Sequence, residues 1–409
     1  MKNSFQKVAA TQSNAKWSQM IKRDVKLYSR NNDVRTEFAR DYTRILHCCG
    51  YRRLKHKTQV FFNIDNDHVC TRIEHVAHVE SVSTTIGSYL GLNVELIRAI
   101  AIGHDIGHAP FGHQGESALD KISKKHLGKP FWHEHNGLRV VDQVELLEDN
   151  KAVNRNLHLT YAVRDGIVAH CGEMDANGII PREETIILSD AVKGKFSPYS
   201  WEACVVKISD VIAYIGRDIE DAIRLGFISN AEKGRLLVMA RSYDENALNT
   251  TVIINALIQD ICENSSPEKG ICLGEKAFTE MKTIKSFNYD YIYKNQRFKP
   301  FKDYSDFIIV EIFNFIVKYY KGKETLDCLL KQKDIYPKMI ASLTRFIVKY
   351  VSDDIIPSEL RFDSRFYNNT KIYGDLSSKK DFIQAVVDYI SGMTDRFAVE
   401  VFNELITFN

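Results

Sequence analysis

The sequence predicts an all-α protein. Only 8 Pro and 21 Gly occur in 409 residues, so turn-forming residues are few for a chain of this length. Alternation of apolar and polar residues with the period of a β-strand is scarce, whereas apolar residues recur with the helical period in several long stretches. We therefore expect a helical fold with a large buried core and room for two domains.

Composition and charge exclude several classes of protein. The net charge of +2 gives no overall field that would recruit nucleic acid or a membrane. The 8 cysteines show no CxxC spacing, which is typical of reduced thiols in the cytosol. The N-terminus lacks the apolar core of a signal peptide, and the apolar run Phe307–Tyr320 is too short to span a bilayer. We expect a soluble, cytoplasmic protein.

The first part of the chain reads as an arm followed by a helix and a basic run. Residues 1–35 are polar, with Trp17, Met20 and Ile21 as the expected anchors. The basic run Arg52–Lys57 fits a solvated surface and a phosphate-binding segment equally well.

Two helices come next. Thr71 and Glu74 have the spacing of a capping box, which predicts a helix start; His75 and His78 then lie on adjacent turns. A second, strongly apolar helix is predicted over Val94–Ile102.

Five groups able to bind a metal or move a proton follow that apolar helix within thirteen residues: His104, Asp105, His108, His113 and Glu116. Adjacent His104 and Asp105 project about 100° apart on a helix, so both reach one ion only at a crevice between helices. Such an ion needs further ligands from other helices.

The rest of the chain is also predicted to be helical. Helices are expected over Leu138–Leu147, Leu159–His170 and Trp201–Leu225, with an irregular insertion at 173–199 and helices through 230–409. In the Trp201–Leu225 helix, one face is apolar: Ile208, Ile212, Ile215, Ile219 and Ile223. The opposite face is polar: Asp210, Tyr214, Arg217, Asp221 and Arg224. An Asp on the polar face could supply the missing ligand.

A hydrolytic metal site can be built from these residues. His75, His104, Asp105 and Asp210 offer two imidazoles and two carboxylates, a set suited to a hard or borderline divalent ion. Coordination positions stay open for water and a substrate oxygen. Because two carboxylates neutralise the ion, an anionic substrate must find positive charge elsewhere, and the cations near in sequence are Arg53, Lys55, Lys57 and Arg72.

A second group handles protons. His113 and Glu116 are three residues apart, so on a helical turn the carboxylate can orient the imidazole and raise its basicity.

These residues carry a specific resemblance. The order His75, His104-Asp105, Asp210 resembles the H…HD…D pattern of HD-domain metal-dependent phosphohydrolases. Arg52–Val60 resembles the segment "RRLKHKTQV" and His104–Glu116 the segment "HDIGHPPFGHxGE" of deoxynucleoside triphosphate triphosphohydrolases, meaning bacterial dGTP triphosphohydrolases and SAM-and-HD-domain dNTPases. Similar matches occur at Thr71–His75 ("TRLTH"), Glu134–Asn136 ("EHN") and Ile208–Tyr214 ("LADDIAY").

The resemblance implies an HD-domain helical core with additional C-terminal helices. The division that follows is an N-terminal arm (1–35), a catalytic core (36–230) and a C-terminal region (231–409) that completes the nucleotide pocket and forms an oligomer interface. The implied reaction is hydrolysis of dGTP or several dNTPs to deoxynucleoside and triphosphate, by attack of water on the α-phosphorus. No SAM domain is expected, and Val211 stands where many members carry an acid or a Lys.

The resemblance also implies residue roles. The metal ligands are His75, His104, Asp105 and Asp210. His113 with Glu116 acts on the attacking water, and His108 and His135 contact phosphate or assist the leaving oxygen. The residues implied to contact phosphate are Arg53, Lys55, Arg72 and Lys285. The residues implied to contact the deoxyribose are Gln59, Tyr214, Asp218 and Tyr293.

The implied cofactor is one divalent ion, with Mg, Mn, Fe, Co and Zn all compatible and an additional Mg²⁺ accompanying the nucleotide. The implied partners are a dNTP substrate, an activating nucleotide and further copies of the chain in a tetramer or hexamer. Two alternatives stay open. One is an HD phosphohydrolase acting on another nucleotide phosphate ester. The other is a nucleotide-sensing or single-stranded nucleic-acid-binding protein that uses basic runs such as Arg52–Lys57 and Lys121–Lys129.

Overall fold

The computed structural model describes residues 2–27, 32–62, 68–170, 177–241, 245–246, 251–361 and 366–407. It confirms the all-α prediction, because it is 62% helical and its one sheet in these ranges has two short strands. In the described ranges, no helix combines the length and the apolar character needed to cross a membrane.

The helices of the first half are α1 Trp17–Met20, α2 Glu37–His47, α3 Cys49–Arg53, α4 Arg72–Leu90, α5 Val94–Gly103, α6 Gly112–Leu127, α7 His133–Arg139 and α8 Tyr161–Ala169. Those of the second half are α9 Trp201–Arg224, α10 Asn230–Arg241, α11 Thr251–Asn264, α12 Glu275–Asn288, α13 Lys299–Val317, α14 Thr325–Leu330, α15 Pro337–Ile347, α16 Lys379–Ser391 and α17 Asp395–Ile406.

The chain forms two compact units, each assembled from three stretches. Unit 1 comprises residues 1–46, 65–105 and 158–299, and unit 2 comprises residues 47–64, 106–157 and 300–409. The predicted assignment of an arm, a catalytic core and a C-terminal region to separate functions stays a prediction.

The core of unit 1 is built from α4, α5, α8 and α9, which pack against one another. The predicted apolar face of α9 is confirmed for four of its five residues, since Ile208, Ile212, Ile215 and Ile219 are all at most 2% exposed, whereas Ile223 is half-buried. The arm contributes to this core as well: Met20 is buried, and the buried Phe5 packs edge-to-face on Trp201 at 4.9 Å.

Local signals determine where the unit 1 helices begin. The predicted capping box between Thr71 and Glu74 opens α4. Asn93 caps α5 by accepting from two backbone N–H groups, and the Ser200 hydroxyl caps α9 by accepting from Ala203 N at 3.2 Å. These caps orient the three helices that carry the candidate metal ligands.

The core of unit 2 is built mainly from α6, α13, α15, α16 and α17. The predicted helix over Leu138–Leu147 is partly wrong. Helix α7 begins earlier, at His133, and a π-helical turn follows at Val140–Val144. The chain is then extended, because β1 (Leu146–Glu148) pairs antiparallel with β2 (Asn154–Asn156). The helical spacing of apolar residues within one segment does not show that the end of this segment pairs with a strand beyond a loop.

Candidate functional site

Three predicted metal ligands come together in unit 1. His75 on α4, His104 at the end of α5 and Asp210 on α9 have ligand atoms within 4.8 Å of one another. Nε2 of His75 lies 2.9 Å from Oδ1 of Asp210, and Nε2 of His104 lies 3.8 Å from the same oxygen. Residues 135 positions apart in sequence thus form one polar cluster inside an apolar helical core.

The orientation of His104 suits a metal ligand. Its Nδ1 donates to the carbonyl of Ala101 at 2.6 Å, so the proton is on Nδ1 and the lone pair is on Nε2. That Nε2 is buried and has no hydrogen-bond partner among the described residues. A buried acceptor of this kind is costly unless a ligand satisfies it. The two imidazoles and the carboxylate are therefore a donor set that fits a divalent ion.

Asp105 lies beside this group and has a second partner. Its Oδ1 is 3.7 Å from Nε2 of His104, and its Oδ2 accepts from Arg72 at 2.8 Å. Both Asp105 and Arg72 are buried. Arg72, which is predicted to bind phosphate, thus neutralises one carboxylate of the centre.

The surroundings of Asp210 favour its ionised form. Burial opposes ionisation of Asp210, but the hydrogen bond from His75 and the nearby His104 lower the pKa of its carboxyl to about 2. Burial likewise disfavours the charged form of His75, yet the same hydrogen bond raises the pKa of its imidazole. Asp210 is therefore a carboxylate over the whole physiological range.

His170 was not assigned a role from the sequence, although it lies at the same cluster. It caps the end of α8, and its Nδ1 contacts the carbonyl of Ile167 at 2.7 Å, the arrangement also seen at His104. The two rings meet edge-to-face, with centroids 5.1 Å apart. A signal was present: like His104, His170 directly follows a short apolar helix.

A second cluster, which we call the histidine cluster, lies in unit 2. It consists of His108, His113, Glu116 and His133, whose ligand atoms all lie within 4.8 Å of one another. The predicted pair is present, with Nδ1 of His113 at 3.5 Å from Oε2 of Glu116. His133 is the closer partner, donating from Nδ1 to the same oxygen at 2.8 Å. The ring of His108 stacks on that of His133 with centroids 3.7 Å apart.

The cluster keeps Glu116 ionised. Burial alone would raise the pKa of this carboxyl, but the adjacent imidazoles of His133 and His113 hold it well below its usual range. A carboxylate that stays ionised accepts hydrogen bonds only, so it fixes the rings that donate to it. His113 itself is exposed, with 70% of its side chain accessible.

The family resemblance implies a role for His135, whereas His133 is the residue that lies in the histidine cluster. Residues two apart on a helix point about 200° apart, so only one of these two histidines can face Glu116. The ring of His135 instead packs near Trp132, with centroids 4.7 Å apart. The phosphate role of His135 stays a prediction.

Gly107 explains how His108 reaches His133. A Cβ atom at Gly107 would lie 2.1 Å from the carbonyl oxygen of His133 and 2.1 Å from the amide nitrogen of Gly137. Only glycine allows the chain to approach α7 this closely. The close approach of the backbone to α7 brings the two rings into a stack.

The residues predicted to hold a deoxyribose are divided between the units. In unit 1, Tyr293 ends a π-helical turn after α12, and its hydroxyl donates to the buried carboxylate of Asp218 on α9. Tyr214 lies one turn before Asp218 and is half-buried. Lys285, the additional phosphate candidate, is half-buried on α12. Gln59 lies in unit 2.

The basic run of unit 2 has structural partners. Arg53 pairs with Glu145 at 2.6 Å, and Lys55 is exposed. Lys57 is only 2% exposed and donates to main-chain carbonyls. Lys57 is therefore a structural cation in this structure, and the phosphate roles of Arg53 and Lys55 stay predictions.

We predict a pH-dependent gain of stability for Asp218→Asn. Burial raises the pKa of Asp218 to about 7. The protonated carboxyl is favourable in the folded protein, so this contribution is complete below about pH 4 and is lost as pH rises through 7. At about 1.4 kcal/mol per pKa unit, ionisation costs up to about 4 kcal/mol by about pH 8.5. The amide of the variant avoids that cost and still accepts from Tyr293.

Thermal unfolding from about pH 5 to about pH 8.5 tests this prediction. The Tm advantage of Asp218→Asn over the parent should widen as pH rises, whereas the exposed Asp290→Asn should show a constant difference. If the Tm difference between Asp218→Asn and the parent stays constant or narrows as pH rises, Asp218 is already ionised at low pH.

Comparisons with known proteins identify the family of the chain. Residues 72–215 match the HD domain family and residues 369–404 match the phosphohydrolase-associated domain family. A relative from Clostridium tetani, named deoxyguanosinetriphosphate triphosphohydrolase-like protein, is 31% identical over 382 residues, covering 91% of this chain and 86% of the relative. Relatives of the same name from Caldanaerobacter subterraneus (30% identical, 91% and 86% covered) and Rickettsia bellii (29% identical, 92% and 93% covered) match over a similar extent.

Candidate ligand sets of this kind are expected of HD domains, which are metal-dependent. The match extends over nearly the whole chain and includes both matched domains. The chain therefore belongs to the HD-domain phosphohydrolase family of deoxyguanosinetriphosphate triphosphohydrolase-like proteins.

Proposed function

We propose that this protein hydrolyses deoxynucleoside triphosphates, dGTP or several dNTPs, to deoxynucleoside and inorganic triphosphate. The observation that carries the proposal is the His75–His104–Asp210 set, with the buried Nε2 of His104 oriented as an acceptor in an apolar helical core. The names of the relatives from Clostridium tetani and Caldanaerobacter subterraneus support a guanine deoxynucleotide among the substrates.

His75, His104, Asp105 and Asp210 would hold one divalent ion. When bound, such an ion supplies Lewis-acid polarisation of a phosphoryl oxygen and lowers the pKa of water. Arg72 keeps Asp105 oriented through their buried ion pair and would also contact a phosphate oxygen.

The histidine cluster supplies proton transfer in this proposal. Glu116 orients His133 and His113, and the exposed His113 gives or takes the proton at the reacting oxygens. His108, fixed by stacking on His133, contributes a hydrogen bond to a phosphate oxygen.

In unit 1, the nucleoside would be held by Tyr214, Asp218 and Tyr293, and the sugar contact of Gln59 stays a prediction. The Asp218–Tyr293 pair offers a hydrogen-bonding group to the 3′-hydroxyl of the sugar. A tyrosine ring packed where a 2′-hydroxyl would lie rejects ribonucleotides sterically. Arg53, Lys55 and Lys285 complete the proposed phosphate contacts.

Product analysis tests the proposal directly. Purified protein is incubated with each dNTP and Mn²⁺ or Mg²⁺ in ¹⁸O-water, and the products are separated by ion exchange. We expect deoxynucleoside and triphosphate, with ¹⁸O in the triphosphate, because water attacks the α-phosphorus and the P–O5′ bond breaks. Pyrophosphate or orthophosphate would indicate another phosphohydrolase reaction. Absence of product together with salt-sensitive binding of single-stranded DNA would favour a binding protein.

A further inference from the structure

The chain reverses direction sharply between His108 and His113. Phe111 has φ 62° and ψ 23°, a left-handed conformation that a bulky residue rarely adopts, and Gly112 follows with φ 58°. This reversal brings the rings of His108 and His113 to a centroid distance of 5.4 Å. A strained turn at such a place persists only where its surroundings hold it.

Asp395, the first residue of α17, holds this turn. Its side chain is buried, and Oδ1 accepts from Phe111 N at 2.8 Å while Oδ2 accepts from Thr58 N at 2.8 Å. Helix α17 is capped by Thr394, which accepts from Phe397 N at 3.2 Å. The Asp395 carboxylate is therefore directed to the two other segments rather than to its own helix.

Neighbouring residues of the same C-terminal segment hold the other parts of the histidine cluster. Lys57 donates to the carbonyl of His108 and, at 2.8 Å, to that of Ser391. Arg139 on α7, the helix that carries His133, forms a bidentate pair with Asp388 at 2.6 and 2.9 Å. The backbone of His108, the turn before His113 and the helix of His133 are thus each tied to residues 388–395.

We propose that residues 388–395 position the histidine cluster and that Asp395 is the positioning residue for the turn that carries His113. The proposal rests on the catalytic role proposed for that cluster. Among the described residues, the hydrogen bonds of the Asp395 carboxylate are to the main chain of Thr58 and Phe111, so Asp395 acts on the cluster through the Phe111 main chain. This assigns a task to part of the segment at 369–404 that matches the phosphohydrolase-associated domain.

The chemistry of Asp395 makes the inference testable. A carboxylate has two acceptor oxygens for two N–H donors, whereas an Asn side chain replaces one oxygen with a donor. In Asp395→Asn, one main-chain N–H therefore faces another donor. The side chain at 395 thus loses one of its two hydrogen bonds to main-chain N–H groups, with almost no change in side-chain volume.

The matched control is Asp41→Asn. Asp41 is also fully buried and also accepts from a main-chain N–H, that of Thr160 at 2.8 Å, but it belongs to unit 1. Both variants are measured as the full-length, metal-loaded protein for Tm, metal content, kcat and KM on dGTP, and for ¹⁵N-histidine NMR shifts.

We expect Asp395→Asn to lower kcat about 100-fold, the effect of displacing a catalytic group by about 1 Å, with KM within about threefold and metal content unchanged. The ring ¹⁵N shifts of the cluster histidines should change. Asp41→Asn should lose Tm but keep kcat within about twofold. An equal fall of kcat in both variants, or unchanged histidine shifts in Asp395→Asn, would overturn the proposal.

Two safeguards keep the test decisive. If Asp395→Asn does not fold, Lys57→Met is measured in its place. This substitution removes the ammonium group that links the carbonyl of His108 to that of Ser391. The same criteria for kcat and for the NMR shifts apply. If the parent protein makes no triphosphate, the proposed function fails, yet the NMR comparison still decides whether Asp395 positions the histidines.

Discussion

Asp210→Asn should lower kcat by about 1,000-fold or more and should sharply reduce the metal retained after reconstitution with Mn²⁺. The amide keeps the shape of the side chain but removes the negative charge that the centre presents to a cation. Loss of several kcal/mol of transition-state stabilisation corresponds to at least that factor in rate. The structure places this carboxylate, ionised at neutral pH, within 4 Å of both imidazoles.

Metal content by mass spectrometry and kcat are measured together. The control is Glu220→Gln on the same helix, where the carboxylate pairs with Arg217 at 3.3 Å, and this variant should keep both metal and turnover. Treatment of the parent protein with a chelator should reproduce the loss, and added Mn²⁺ should reverse it. An Asp210→Asn protein that retains its ion and its rate would remove Asp210 from the ligand set.

Glu116→Gln should lower kcat by about 100- to 10,000-fold while leaving metal content near that of the parent, the range expected for disabled acid–base catalysis. The Oε2 atom of this carboxylate accepts from His133 and lies 3.5 Å from Nδ1 of His113, and a neutral amide removes the negative charge beside both rings. The rings would then lose the orientation and the charge partner that keep them poised for proton transfer.

The matched variant is Lys121→Gln, on the exposed side of α6, which should retain full activity. His133→Ala should approach the defect of Glu116→Gln, although His135→Ala should be milder because His135 is outside the histidine cluster. Loss of metal in Glu116→Gln would show that this group belongs to the ion and not to proton transfer. A larger defect in His135→Ala than in His133→Ala would reverse the assignment of the two histidines.

Two groups show what one sequence leaves open. The basic run Arg52–Lys57 fits a solvated surface and a phosphate-binding segment equally well, and in the structure Arg53 pairs with Glu145, 92 residues later, while Lys57 donates to two main-chain carbonyls. A run of charged residues in the sequence does not indicate which distant residues those charges will contact in the folded protein. His133 and His135 are equally good candidates in sequence, and only the direction in which α7 packs decides between them.

The sequence by itself determined the all-α class, the capping box of α4, the apolar face of α9 and the identity of three residues that meet at the candidate metal centre. These features depend on short-range periodicity, on local capping and on a motif whose residue types already specify metal chemistry. Only the tertiary structure decided that His170 lies beside His104, that His133 is the partner of Glu116, and that Asp395 anchors the turn at Phe111. Each of those contacts joins segments from 17 to 284 residues apart. Such contacts are set by how helices pack, which the local sequence pattern does not encode.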